Sequence, residues 1–120
     1  MELVEDKHNS KFQISSYIDN SIKIADKVYN FPIVFHNKSI KKFNINNPKS
    51  IHINNIEKIL EGIDIILIGT GKVNQILNEE LIYQVSQTKK GLEFMNTESA
   101  CKTHNLLLSE SRSFASILYP

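Results

Sequence analysis

The sequence predicts an α/β fold, with a central mixed sheet, helices packed on it and a smaller antiparallel strand section, in a single domain. Three observations predict it. Residues 11–46 carry short apolar stretches of period two, broken by Asn- and Asp-containing turns, which is the mark of half-buried antiparallel strands. The run Ile63-Asp64-Ile65-Ile66-Leu67-Ile68 is almost unbroken aliphatic and lies between Gly62 and Gly69, as in a strand buried on both faces. Beyond it, helical spacings with their own capping residues alternate with further apolar runs. A chain of 120 residues has room for one core. Residues 1–10 are expected to form an N-terminal tail and residues 11–120 the domain.

The elements follow in order. Phe12-Ile14, Ile22-Ile24, Val28 to Phe35 and Phe43-Ile45 are the early strand candidates, with Asp19-Asn20 and Asn37-Lys38 as tight turns. Pro32, which has no N–H to give to a ladder, marks an edge or bulge in the third run. After the polar link Asn46-Asn47-Pro48-Lys49, Ile56, Ile59 and Leu60 are spaced for a short helix that starts at Asn54 or Asn55 and is closed by Gly62. The run from Ile63 to Ile68 is expected at the centre of the sheet. Asn78 caps a second helix with Glu79 and Glu80 in its first turn, and Lys89-Lys90 complement its far end. Leu92 to Met95 is a short strand, Thr97 caps a third helix reaching about Ser109, and Phe114 to Leu118 closes the sheet.

Composition excludes several function classes. Hydrophobic residues make up 41% of the chain and charged residues 22%, which separates it from disordered sequences. The formal charge of +1 gives no global field for nucleic acid or an anionic membrane, so any such binding is local. Ile, Lys and Asn together supply 44 of 120 residues and there is one Arg; residue types with A/T-rich codons dominate. One Cys makes no intrachain disulfide and favours a reducing compartment. The N-terminus carries Glu2, Glu5 and Asp6 and lacks the apolar stretch of a secretory signal. Ile65 to Ile68 is far short of the ~20 residues that cross a bilayer, so no transmembrane segment is expected.

Four segments have the residue types for chemistry. Gly69-Thr70-Gly71-Lys72 follows the aliphatic run, where successive N–H groups can converge on an anion. It lacks the P-loop pattern, with Ile66 and Val73 at the positions of a Gly and a Ser/Thr, and Asn74 stands where a dinucleotide fingerprint has its third Gly. A sharp turn off a strand end, with positive φ at Gly71, is the favoured reading. Cys101 and His104 share a helix face as a conceivable nucleophile and base. Neither a third orienting group nor a metal pattern accompanies them, since His8, His36 and His52 are scattered, so an inert packing cysteine is favoured. The window from Lys27 to Ile56 contains Lys27, Lys38, Lys41, Lys42 and Lys49 and no acid, interleaved with Tyr29, Phe31, Phe35 and Phe43. That is the composition of a single-strand nucleic-acid surface, but lysines on edge strands also block aggregation, and nucleic acid is not the expected partner. Glu110 and Arg112 are expected as a structural ion pair.

The joint spacing of Ile63 to Gly71, Met95-Asn96-Thr97, Ala100-Cys101-Lys102-Thr103-His104-Asn105 and Glu110-Ser111-Arg112 resembles the complex I assembly factor three-like family, a small domain found in bacteria, archaea and mitochondria. The resemblance covers most of the chain and is strongest from Ile63 to Pro120. It implies a central mixed sheet with helices on one side, an antiparallel section beside it, and no established reaction. The chain departs from the family at Asn96 (usually Asp), Lys102 (usually Arg), His104 (usually aromatic) and Ser111 (usually Gly). Taken together, the expectation is a non-catalytic protein-interaction or assembly domain, with a protein partner or self-association through sheet edges and no cofactor or metal. Its family-motif site would be Gly69, Thr70, Gly71, Lys72, Thr97, Cys101, Lys102, Thr103, Asn105, Glu110 and Arg112. The location would be the bacterial cytoplasm, or the mitochondrial matrix in a eukaryote. The alternative is a small anion- or ligand-binding protein or a thiol-dependent enzyme using Gly69 to Gly71 and Cys101.

Overall fold

The computed structural model of the chain describes residues 10–120. Most of the expected tail, residues 1–9 with His8, lies outside the described residues, and Ser10 already opens a 3-10 turn, Ser10–Phe12. Two sheets form. The strands β1 (Ile14–Ile18), β2 (Ser21–Ile24) and β3 (Lys27–Tyr29) make an antiparallel meander, and β4 (Ile33–His36), β5 (Ser39–Lys42), β6 (Ile65–Gly69), β7 (Gly91–Met95) and β8 (Phe114–Leu118) make a mixed sheet in the order β5-β4-β8-β6-β7. In the mixed sheet β4 runs antiparallel to β5 and β8, whereas β6 runs parallel to β7 and β8.

Local chemistry explains the hairpins. Asp19 and Asn20 link β1 to β2 with φ of 53° and 60°, and Asn37 and Lys38 link β4 to β5 with φ of 50° and 57°. Two successive left-handed residues make the turn whose twist matches that of paired strands. The expected strand from Val28 to Phe35 is in fact two strands in different sheets, β3 and β4. Pro32 has no N–H for the ladder, and its carbonyl accepts from Phe43 N at 2.9 Å. The turn at Asn37-Lys38 sets Ile33 opposite Lys42, so β5 is Ser39–Lys42 and not Phe43-Ile45. Likewise Phe12 belongs to the opening 3-10 turn and the first strand starts at Ile14.

Alternation in the mixed sheet divides the core in two. Val34, Ile66, Ile68, Ala115, Ile117 and Tyr119 pack on one face with Ile56 and Leu60 of α1 (Ile53–Leu60) and Leu81 and Val85 of α2 (Glu79–Gln87). Ile33, Phe35, Leu67, Phe114 and Leu118 pack on the other with Ala100, Cys101, Leu107 and Leu108 of α3 (Thr97–Ser109) and with Ile14, Ile22 and Ile24 of the meander. Helices therefore cover both faces, not one, because β6 and β8 are apolar on both sides and each side needs a cover. The middle strand is β8, not β6; β6 lies between β8 and β7.

Some helix ends follow the expected chemistry and others do not: α1 starts at Ile53, before Asn54, and α2 stops at Gln87, so Lys89 and Lys90 lie beyond its last turn. Asn78 Oδ1 accepts from Glu80 N at 2.9 Å at the start of α2, and Gly62 at φ +76° follows α1. The cap of α3 is Asn96, whose Oδ1 accepts from Ser99 N at 2.9 Å. Thr97 is its first helical residue, and its hydroxyl is used elsewhere. Asn caps as well as Asp does, so the substitution at Asn96 keeps the cap. Ser111, where the family usually has Gly, has φ 54°, the backbone region that favours Gly.

Candidate functional site

The carboxyl ends of the parallel strands β6, β7 and β8 meet the first turn of α3, the position where open α/β sheets hold their ligands. Here Gly69 lets α3 approach the sheet. A Cβ on Gly69 would stand 2.9 Å from Ala100 Cβ, 3.0 Å from Thr97 Oγ1 and 3.1 Å from Leu118 Cδ2. Gly71 has φ +100° with open space around it, as expected for a turn leaving a strand end.

Hydrogen bonds tie these parts together. Thr70 N donates to Met95 O at 2.8 Å and Gly71 N to Thr97 Oγ1 at 2.8 Å. Thr97 N donates back to Gly71 O at 2.8 Å, and the Thr97 hydroxyl donates to Tyr119 O at 2.5 Å. The Thr70 hydroxyl accepts from Gln75 N at 3.0 Å and donates to Val73 O at 2.8 Å. Two N–H groups that an anion nest would use, those of Thr70 and Gly71, are thus donated to the protein itself. Lys72 is exposed.

Along α3 the motif residues also face inward. Asn105 Oδ1 accepts from Ile14 N at 2.8 Å and its Nδ2 donates to Ile14 O at 2.9 Å. One side chain replaces a ladder partner and fixes the start of the meander to the helix. His104 is fully buried, edge-on to Phe35 and Phe114 at 5.0 Å and 5.4 Å, in keeping with the aromatic usual at this place. Its Nε2 donates to Phe12 O at 3.0 Å, since a carbonyl can only accept, and its Nδ1 accepts from the Ser116 hydroxyl at 2.8 Å. Both ring nitrogens are engaged, and neither is paired with Cys101.

Burial sets the protonation of both groups. It pushes the His104 pKa down to about 4, partly opposed by the bond to Phe12. It pushes the Cys101 thiol up to about 12, with Glu98 adding to the rise. Thr103 Oγ1 lies 3.5 Å from Met95 Sδ, and Lys102 is exposed. Glu110 and Arg112 form a solvent-exposed contact of 3.7 Å just before β8, away from the carboxyl ends of the strands, worth little to stability. Sequence reasoning missed Ser116, which read as an ordinary strand residue, and Tyr119, just past the expected closing strand, whose hydroxyl donates to Ile45 O at 2.6 Å. Tyr17 Oη is enclosed with no hydrogen-bond partner among the described residues. In the basic window Phe35 and Phe43 are core residues, and only Tyr29 and Phe31 reach the surface. Among the described residues no group of three or more His, Cys, Asp or Glu side chains is placed to hold a metal, and no helix is long and apolar enough to cross a membrane.

His104 predicts a pH dependence. A histidine whose folded pKa lies below its usual 6.5 binds its proton more readily when unfolded. Stability is therefore full above about pH 6.5 and falls as pH drops from 6.5 towards 4. The loss expected from this group is about 3 kcal/mol, at ~1.4 kcal/mol per pKa unit. Urea midpoints measured across that range, in wild type and in His104→Gln, should show a slope in the first that is shallower in the second.

Layers of helices, mixed sheet, and helix plus meander, joined at a strand-end junction that satisfies its own polar groups, define a small α/β domain whose motif residues build its shape. The chain belongs to the family described as protein of unknown function (DUF498/DUF598), whose model matches residues 14–119. It is 30% identical over 121 residues to the "13 kDa major membrane protein" of Francisella tularensis, covering 98% of each chain. It is also 30% identical over 99 residues to "NADH dehydrogenase [ubiquinone] 1 alpha subcomplex assembly factor 3" of Xenopus tropicalis, covering 80% of this chain and 54% of that longer one. A Mth938-like domain of Bordetella pertussis superposes with a TM-score of 0.77 at 20% identity, over 100% of this chain and 92% of that one, a likeness of fold. The resemblance to the complex I assembly factor three-like family is borne out.

Proposed function

We propose that the chain is a non-catalytic protein-interaction module acting in assembly, its interacting unit being residues 11–120. The observation that carries this reading is the likeness to the frog assembly factor along 80% of the chain. The junction supports it: Thr70, Gly71, Thr97 and Asn105 spend their polar groups on holding strand ends, helix and meander in one shape. Next to that frame, Val73 and Ile76 in the β6–α2 loop are 64% and 71% exposed, apolar area suited to a partner. Gly69 to Lys72 and the start of α3 then form the base of the interaction surface. The compartment is the bacterial cytoplasm, or the mitochondrial matrix for a eukaryotic chain, and fractionation with a salt wash tests it.

The experiment is affinity capture of the tagged chain from respiring and non-respiring cells, with Val73→Asp/Ile76→Asp as comparison. A defined partner set is expected with wild type and lost with the variant; an unchanged set moves the surface elsewhere. The rival thiol-enzyme reading has its own measurement. Cys101 is expected to resist a disulfide reagent at neutral pH until the protein unfolds, because the thiolate is the reactive form. Rapid modification of the native protein would favour the enzyme.

A further inference from the structure

The mixed sheet ends at β5, and among the described residues no strand pairs with its outer edge. The hairpin determines which backbone groups face outward. Its two-residue turn makes His36 and Ser39 the closing hydrogen-bonded pair, and such pairs alternate along an antiparallel ladder. Val34 with Lys41 is then hydrogen bonded, whereas Phe35 with Ile40 and Ile33 with Lys42 are not. The inward bond from Phe43 N to Pro32 O continues the alternation. The N–H and C=O groups of Ile40 and Lys42 therefore point away from β4.

Clefts flank this edge. One, of about 290 Å³, combines apolar Val34 and Ile59 with His36, Lys41, Lys42 and Lys58. Another, of about 510 Å³, lies between β5 and the meander and combines Ile24 and Ile40 with Lys11, Lys27 and Lys38, Asp26 being its acid. Four lysines of the acid-free window, Lys27, Lys38, Lys41 and Lys42, are thus brought together along one free edge. Side chains of an added strand alternate between the faces of a sheet, so both of its faces would meet lysines.

We propose that β5 takes up an extended acidic segment of a partner protein as a sixth strand. Its backbone pairs with Ile40 and Lys42, and its carboxylates are held by Lys41 and Lys58 on one face and by Lys27 and Lys38 on the other. The inference rests on the reading of the chain as a protein-binding module and adds the chemistry of the partner. Main-chain pairing supplies affinity in strand addition and the side chains supply selection. Lysines that repel a second copy of the same basic edge admit an acidic strand.

Fluorescence anisotropy with a labelled octapeptide of two Glu-Glu-Val-Val repeats tests this, since that repeat puts carboxylates on both faces. Saturable binding is expected at low salt. It should weaken about tenfold or more, a loss of one strong charged contact, in Lys41→Glu/Lys58→Glu, two exposed positions. N-methylation of alternate amides of the peptide should weaken it similarly in one of the two registers. Equal binding of the N-methylated peptides, or of a Lys-Lys-Val-Val peptide, overturns the proposal. So does the absence of peptide binding while oligo(dT) or phosphatidylglycerol vesicles bind. Partners captured equally by wild type and Lys41→Glu/Lys58→Glu overturn this edge alone, whereas a wild type that captures none overturns the protein-binding reading itself.

Discussion

Thr97→Val is expected to lower stability by about 3 kcal/mol, read as a fall in urea midpoint with unchanged slope. Valine keeps the shape of threonine and removes only the hydroxyl. That hydroxyl accepts from Gly71 N at 2.8 Å and donates to Tyr119 O at 2.5 Å. Thr97 is fully buried, so water does not readily replace either bond, and each lost partner adds an unsatisfied polar group. Thr97→Ser should lose only about 1 kcal/mol, because it keeps both bonds and gives up a methyl group. Equal losses in the two variants would show that packing, not the hydroxyl, holds the junction.

Gly69→Ala should cost about 3 kcal/mol, for a steric reason. The added carbon would meet Ala100 Cβ at 2.9 Å, and a Cβ cannot rotate aside as the end of a long side chain can. Either α3 shifts off β6 or the strand end bends, and overpacking of this kind is destabilising. Gly69→Ala/Ala100→Gly should regain part of the loss despite the ~1 kcal/mol cost of a helical glycine. Gly71→Ala makes a useful contrast. Nothing lies within 4 Å of its Cβ, so its cost comes from φ +100° alone and should be about 1 kcal/mol. A Gly69→Ala protein as stable as wild type would sink the close-approach argument.

The candidate site was legible as residues and illegible as contacts. Gly69, Thr70, Gly71, Thr97 and Asn105 were all singled out in the sequence, yet Thr97 read as a helix cap and Asn105 as a motif position. Asn105 binds Ile14, 91 positions away, and Thr97 binds Tyr119, 22 positions away. Local spacing carries no trace of such bonds. The Cys101–His104 pair shows the reverse: three residues apart on one helix, they look like partners, but each ring nitrogen of His104 already has a partner from another element.

By itself the sequence determined the α/β class, the existence of the three helices, the two Asn-containing hairpin turns and the closing strand. Each depends on interactions within a few residues: apolar period, caps, and side chains that tolerate positive φ. Tertiary structure alone decided that the run from Val28 to Phe35 is shared between two sheets, that β8 and not β6 is central, and that helices lie on both faces. Strand order and facing are settled by which buried surfaces complement each other across the chain. To a local reading Ile65 to Ile68 is the more apolar run, since Phe114 to Leu118 includes Ser116; the pairing of β4 with β8 nevertheless puts β8 in the middle.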